Sequence, residues 1–176
     1  MARMILPAQR DPRLTTIRRG GTLTDDAHRL IARWAINCSE HVLPLFEAVS
    51  ADTRPREALE AGRAWIRGEM RMMDARQAAF ASNAAAREVT GAAKFAALSA
   101  GQAAAVPHVA AHDLGAAAYA IKAARASAPA SDADATARAE RDWQRDRLPD
   151  AIRDLVLDDQ RVRGALCWNM FDDAEA

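Results

Sequence analysis

The sequence predicts an all-α fold, a single domain of six or seven helices arranged as a bundle or as stacked helical hairpins. Apolar residues recur at helical spacing along most of the chain, and no alternating strand pattern of useful length occurs. Half of the 176 residues are hydrophobic, only 5% are aromatic, and alanine is the commonest residue. This composition favours thin helices that pack closely around one core.

Residues 1–21 are predicted to form a flexible, basic N-terminal arm, because they carry five arginines and a single aspartate. The first helix begins after Thr24, whose hydroxyl can cap its free N–H groups. Pro44 interrupts this helix, since proline removes a backbone donor and clashes with the preceding turn. A second helix begins near Pro55 and ends at about Gly68.

The middle of the chain is the richest in alanine. A third helix is expected over residues 69–90, ending before Gly91. Residues 92–126 form a helical region in which Gly101 and Pro107 are the places for a break or bend. Small side chains allow neighbouring helices to approach closely, so this region is predicted to lie in the core.

The last third of the chain holds a loop, two helices and a short tail. Residues 127–134, SAPASDAD, are the clearest loop, and Pro149 separates the two helices that follow. The apolar stretch over residues 165–171 is expected to pack back on the helices. The helical domain therefore covers residues 22–171, and residues 172–176 form an acidic tail.

Composition also argues against several classes of function. The chain carries 24 basic and 24 acidic residues, whereas a dedicated nucleic-acid binder usually has a basic excess. No stretch of about 18 apolar residues is free of charge, so we expect no membrane span. Cys38 and Cys167 lack the spacing of a disulfide scaffold or a zinc site, and the N-terminus lacks the apolar run of a signal peptide. We therefore expect a cytoplasmic protein.

One polar stripe stands out in the alanine-rich region. If residues 106–124 form a helix, one narrow face of it carries five residues: His108, His112, Gly115, Tyr119 and Lys122. A helix that is small or apolar elsewhere is usually buried, and buried polar groups need partners. The rest of the chain is therefore expected to supply groups that face this stripe.

The two histidines have the HxxxH spacing that can present two nitrogens to one metal ion. Val109 stands where zinc proteases place a glutamate, so that protease motif is absent. A third ligand would come from one of three acidic residues: Glu69, Asp74 or Asp113. The alternatives are two histidines hydrogen-bonded within the core, or a direct contact with a partner or ligand.

Other charged and aromatic residues have both structural and binding interpretations. Arg63, Glu69 and Arg76 lie near predicted helix junctions, where such charges tie helices together or line a polar pocket. The four tryptophans occupy inward helical positions and are expected to anchor the core, or else to act as binding hot spots: Trp34, Trp65, Trp143 and Trp168. The sequence contains no GxGxxG, P-loop, GxSxG or cysteine–histidine nucleophile motif.

Four segments, in this order, resemble a bacterial family of immunity proteins associated with polymorphic toxin systems. They are WAINCSEHVLPLFEA (residues 34–48), RPREALEAGRAWIRGEM (54–70), HVAAHDLGAAAYAIKA (108–123) and ERDWQRDRLPDAIRDLVLDDQ (140–160). The resemblance covers about residues 25–171.

The resemblance implies an all-α protein that binds a co-encoded toxin and blocks it, and it implies no cofactor. It also marks eight family-typical positions as polar or partner-binding candidates: Trp65, Glu69, Arg76, His108, His112, Tyr119, Trp143 and Gln144. A protein of this kind needs a rigid complementary surface, so the missing catalytic motifs are expected.

Two other functions remain open at this point. A small helical enzyme dependent on a metal or ligand would be built around His108, His112 and Glu69, and it requires these side chains to converge on one cavity. A helical scaffold or oligomerisation module would instead form a homodimer through an exposed apolar seam.

Overall fold

The computed structural model describes residues 5–173 and confirms the all-α prediction. Within these residues lie seven helices of 13 to 18 residues and one single-turn helix. Their bounds are α1 Asp25–Val42, α2 Pro44–Glu47, α3 Arg54–Ile66, α4 Met72–Ala86, α5 Gly91–Ala105, α6 Asp113–Ser127, α7 Ala133–Asp146 and α8 Asp150–Arg163. The same residues also contain four short 3₁₀ helices: Pro12–Leu14 and Ile17–Arg19 before α1, Ala110–His112 between α5 and α6, and Gly164–Cys167 after α8.

Helix boundaries follow the predicted signals closely in the first half of the chain. The Thr24 hydroxyl accepts a hydrogen bond from the main-chain N–H of Ala27, 3.2 Å away, and caps α1. Pro44 opens the single-turn helix α2 directly after α1. Pro55 lies in the first turn of α3, and Gly68 follows the helix in a left-handed conformation with a φ of 77°.

The core is formed by α5 and α6, which pack against each other and against α1. In addition, α4 packs against α5, and α3 contacts both α4 and α5. Alanines and serines at the contacts let the helices approach closely. The Ser99 hydroxyl donates to the carbonyl of Ala116 in α6 at 2.7 Å and lies 2.7 Å from the Ser39 hydroxyl of α1. The predicted close packing of small residues is therefore confirmed.

The predicted helix over the polar stripe is wrong in its first part. The chain leaves α5 after Ala105, turns through Pro107, and is extended at Val109, with φ −142° and ψ 111°. Because proline cannot donate a backbone hydrogen bond, the helix breaks there. As a result, His108 and His112 precede α6, so they do not share a helix face with Tyr119.

The N-terminal segment, residues 5–23, lies against the helices. Its two 3₁₀ helices are joined to the start of α1 by an isolated bridge between Thr16 and Leu23. The side chains of Ile5, Leu14 and Leu23 are buried in the main core. Residues 1–4 of the predicted basic arm lie outside the described residues.

The C-terminal stretch packs back on the helices, as predicted. Cys167 and Phe171 are buried in the core. The Asp173 carboxylate forms an ion pair with Arg145, with an N···O distance of 2.7 Å, whereas residues 174–176 of the predicted acidic tail lie outside the described part of the chain.

None of the helices within residues 5–173 has both the length and the apolar surface needed to cross a bilayer.

Candidate functional site

A cleft of about 580 Å³ lies between the N-terminal segment, the end of α3 and the connection from α5 to α6. We call it the basic cleft and define it by Arg10, Arg19, His28, Trp65 and His108, which all line it. It exists because the chain leaves the helical path at Pro107 and the N-terminal segment lies beside this break. A concave surface of this size is the usual form of a ligand or partner site.

His28 fixes the floor of the basic cleft. Its ring Nε2 donates to the carbonyl of Val106 at 2.8 Å, so it holds the end of α5 against α1. Its ring also meets the Trp65 ring edge-on, with 4.8 Å between the centroids. Burial lowers the pKa of His28, which keeps the imidazole neutral near pH 7.

His108 lies on the wall of the basic cleft. Its main-chain carbonyl accepts a hydrogen bond from the Arg19 guanidinium at 3.2 Å. Its ring Nδ1 is buried and has no hydrogen-bond partner within the described chain. Burial first, and then the positive charges of Arg19, Arg76 and Arg10, lower the pKa of His108.

The cleft has a surplus of positive charge. Arg18 is paired with Asp25, with an N···O distance of 3.1 Å. By contrast, Arg10 and Arg19, which line the cleft, form no ion pair within residues 5–173. Arg76, which lies beyond the lining, is also without an ion pair in this part of the chain and stacks on Phe80, 4.7 Å from the ring centroid. An anionic group in the cleft would meet cations that the protein itself leaves uncompensated.

His112 lies outside the basic cleft and has a structural partner. Its Nδ1–H donates to the Gln102 side-chain oxygen at 2.8 Å, which ties the start of α6 to α5. The Gln102 side chain packs directly over the α-carbon of Gly115, where a larger residue would collide with it. Burial lowers the pKa of His112 to about 4, so the ring is neutral at pH 7.

Glu69 lies on the surface in the turn after Gly68, away from the lining of the basic cleft. Its carboxylate forms an ion pair with Arg67, at 2.7 Å, and this pair lowers the pKa of Glu69. Of the three residues in the enzyme hypothesis, only His108 lines the cleft, because the left-handed turn at Gly68 carries Glu69 outward. The enzyme hypothesis required His108, His112 and Glu69 to converge on one cavity, and this expectation is therefore wrong.

The other two acidic residues considered as a third metal ligand also lie apart. Asp74 pairs with Arg71, at 3.0 Å, and Asp113 lies beside Arg163. Across residues 5–173, no three His, Cys, Asp or Glu side chains come close enough to hold a metal ion.

Tyr119 belongs to an aromatic cluster around Lys122. The ammonium of Lys122 lies 3.9 Å from the Trp168 ring centroid and 4.7 Å from that of Phe95. The Tyr119 ring lies 5.0 Å from that of Trp168. This arrangement fixes the C-terminal stretch to α5 and α6, and burial lowers the pKa of Lys122.

Trp143 and Gln144 join α7 to the core. Gln144 is fully buried; its amide donates to Glu140 at 2.9 Å, and its main-chain carbonyl accepts from the Trp34 indole at 2.9 Å. Trp143 is half-buried and stacks on the ring of His41, with 3.7 Å between the centroids. Trp34 is thus a core anchor, as predicted, whereas Trp65, Trp143 and Trp168 keep part of their surface exposed.

Two buried groups were missed from the sequence. His28 lies three and seven positions before Ile31 and Ala35, both fully buried, and this helical spacing could have placed it inward. Arg163 lies four positions after Asp159, and the two form a buried ion pair. Neither residue carried a motif that singled it out.

The fold and the cleft define a small all-helical protein with a basic surface suited to binding. Residues 21–151, more than half of the chain, match the family described as "Imm-5 like putative immunity protein", so the chain belongs to this family. His28, Trp65, Arg76 and His108 lie within the matched residues, whereas Arg10 and Arg19 precede them. No curated protein and no solved structure matches the chain.

Proposed function

We propose that this protein is a bacterial immunity protein of a polymorphic toxin system. It binds a cognate protein toxin in the cytoplasm of the producing cell and neutralises it by occupying a surface that the toxin needs. The match of residues 21–151 to an immunity family carries this proposal. No chemical step is required of the protein, because a stable complex alone would inactivate the toxin.

The architecture supports a blocking role. A blocker binds best when its surface is already rigid, because little conformational freedom is then lost on association. The basic cleft is built on such a frame, since His28 joins α1 to the end of α5 and Arg19 joins the N-terminal segment to His108. Both residues are thus held in place before a partner arrives.

The exposed face of α4 extends the same surface. Met72 lines the basic cleft, and Arg76 lies close enough to His108 to affect its pKa. Met73 and Phe80 on the same helix are 45% and 50% exposed, which is unusual for such large apolar side chains. Apolar anchors beside a charged cleft are typical of protein-binding surfaces.

The proposal is tested by affinity capture of the tagged full chain from the native host, followed by mass spectrometry. We expect a toxin encoded beside this gene to be recovered, and we expect co-expression of the full chain to restore growth to cells that make the toxin. Recovery of no such protein, or growth arrest that persists despite co-expression, would contradict the proposal.

Homodimerisation remains a prediction. The exposed large apolar side chains of the described surface lie on different elements, apart from Met73 and Phe80, which are both on α4. A homodimer would therefore use this face of α4. Light scattering after gel filtration would give twice the chain mass for a dimer, and that mass should fall to one chain in the Phe80→Ser variant.

A further inference from the structure

We infer that the basic cleft binds an acidic segment of the protein partner, and that one carboxylate of this segment lies between Arg10, Arg19 and the ring of His108. The inference rests on the proposed function and goes further, because it assigns the contact surface and the chemistry of the partner.

The charge around the cleft is the first argument. Its acidic residues are already paired, Asp11 with Arg13 at 2.7 Å and Asp25 with Arg18 at 3.1 Å. Arg10 and Arg19 line the cleft and have no carboxylate partner among residues 5–173. Arginine presents up to five N–H donors in a planar fork that fits a carboxylate, so both exposed guanidinium groups are available to an acid from outside.

Hydrogen bonding is the second argument. The Nδ1 atom of His108 is buried without a partner in the described chain, and such an atom is costly unless a ligand supplies the missing bond. Arg19 uses Nη1 on the His108 carbonyl and places Nη2 4.0 Å from the Met72 sulfur, which leaves further N–H donors available. A carboxylate bound to the remaining Arg19 donors would therefore lie beside His108, whose carbonyl Arg19 already contacts.

The shape and apolar walls of the cleft favour a protein segment over a free anion. A volume of about 580 Å³ is far more than one carboxylate requires, and Leu6, Trp65 and Val109 line it together with the arginines. The surface continues along α4, where Phe80 and Met73 are exposed. An extended segment that combines acidic and apolar side chains would fill both regions.

The test uses the full chain and an acetylated hexaglutamate peptide as the probe, with hexaglutamine as the uncharged control. Binding is followed by the nuclear magnetic resonance signals of the His28 and His108 imidazoles and by Trp65. We expect saturable shifts with hexaglutamate that weaken at high ionic strength, and none with hexaglutamine. Equal shifts with both peptides, or no shift with either, would overturn the inference.

Matched variants locate the binding. The Arg10→Gln, Arg19→Gln double variant should bind hexaglutamate about tenfold more weakly, because two charge-assisted contacts are lost. The Arg33→Gln, Arg138→Gln double variant removes the same number of charges from two exposed arginines, in α1 and α7, that do not line the cleft, and it should bind like the unchanged chain. Equal weakening in both variants would show that only overall charge matters and would overturn the inference. Unchanged thermal unfolding verifies that each variant is folded.

The pKa of His108 provides a readout that a purely structural role would not move. The charged groups around this ring are Arg10, Arg19 and Arg76, which favour its neutral form, whereas the nearby His112 is neutral at pH 7. A carboxylate beside the ring favours the imidazolium, so bound hexaglutamate should raise the pKa of His108 measured by nuclear magnetic resonance. A pKa that stays unchanged at saturation would place the carboxylate elsewhere and overturn the assignment.

The outcomes for the cleft and for the proposed function are separable. Once captured, the native partner should bind the Arg10→Gln, Arg19→Gln variant more weakly than the unchanged chain. If both capture the partner equally, the proposed function stands and the cleft is not the contact. If the unchanged chain captures no toxin, the proposed function fails, whatever the peptide result. If acetate at equal carboxylate concentration displaces hexaglutamate completely, the cleft is a site for small anions, and the inference that it binds an acidic segment is overturned.

Discussion

Arg19 donates a hydrogen bond to the main-chain carbonyl of His108 at 3.2 Å, although 89 positions separate the two residues in sequence. This contact joins the N-terminal segment to the break between α5 and α6. It exists because Pro107 ends the helical path and leaves the carbonyl of His108 outside a helical hydrogen bond. The basic cleft thus depends on one interruption in an otherwise continuous alanine-rich core.

The first prediction concerns the folded N-terminal segment. A side chain at Gly21 would overlap the main-chain oxygens of Thr15 and Pro12, which cannot move without unfolding the segment. Gly21→Ala should therefore destabilise the protein by about 1–3 kcal/mol in urea unfolding. Gly62→Ala in α3 is the control: its side chain meets only the end of the Ile36 side chain, and helix propensity offsets the clash, so its change should stay within about 1 kcal/mol.

The second prediction separates the two histidines of the HxxxH pair. His112→Ala should cost about 1–3 kcal/mol, because it leaves the Gln102 oxygen without its hydrogen-bond donor. His108→Ala should cost less than about 1 kcal/mol, because the ring makes no hydrogen bond within the described chain and is partly exposed. Urea unfolding of both variants checks this order, and the reverse order would contradict the assigned roles.

The third prediction concerns pH. Burial, followed by the nearby charge of Asp159, raises the pKa of Asp113 to about 7. The folded protein therefore binds a proton that the unfolded chain releases between about pH 4 and 7, so this group lowers the stability as the pH rises through that range. Asp113→Asn keeps the shape without the charge, and it should raise the free energy of unfolding at pH 8 by about 1–3 kcal/mol.

The control for this pH effect is Asp154→Asn, an exposed residue of α8. Urea unfolding at a series of pH values should give nearly the same curve for this control as for the unchanged chain. His112 acts in the opposite direction, since its lowered pKa reduces the stability as the pH falls from about 6.5 towards 4. An Asp113→Asn protein that is less stable at pH 8 than the unchanged chain would contradict the prediction.

The fourth prediction concerns the aromatic cluster. Lys122→Met keeps most of the packing and removes the charge that lies 3.9 Å from the Trp168 ring centroid. The loss should be about 0.5–2 kcal/mol, in the range of a partly desolvated cation–π contact. Lys94→Met, an exposed lysine of α5, is the control and should change stability by less than about 0.5 kcal/mol. Equal effects would show that the ring contacts contribute nothing.

Helical periodicity and capping residues predicted the fold class and most helix boundaries. The residues that set these boundaries act on the neighbouring backbone, so their effects can be predicted from the sequence. They are Thr24, Pro44, Pro55 and Gly68. Pro107 was correctly placed as a break, but the irregular path after it displaced both histidines from α6. A break is predictable from one residue, whereas the path that follows it depends on tertiary contacts.

The candidate site was much less predictable. His108 was singled out by its spacing from His112, yet the two side chains have different roles. The residues that form the cleft together with His108 come from distant parts of the chain: Arg19 from the N-terminal segment and His28 from α1. No local sequence pattern predicts such long-range contacts, because they depend on how the helices pack.

Stoichiometric neutralisation is the central claim, and titration of the purified toxin with this protein tests it most directly. The toxin's activity is measured at increasing ratios of the full chain to toxin. A binding inhibitor should reduce the activity in proportion to the amount added and abolish it at about one equivalent. Activity that persists at excess protein, or that disappears at a small fraction of an equivalent as an enzyme would cause, would contradict the account.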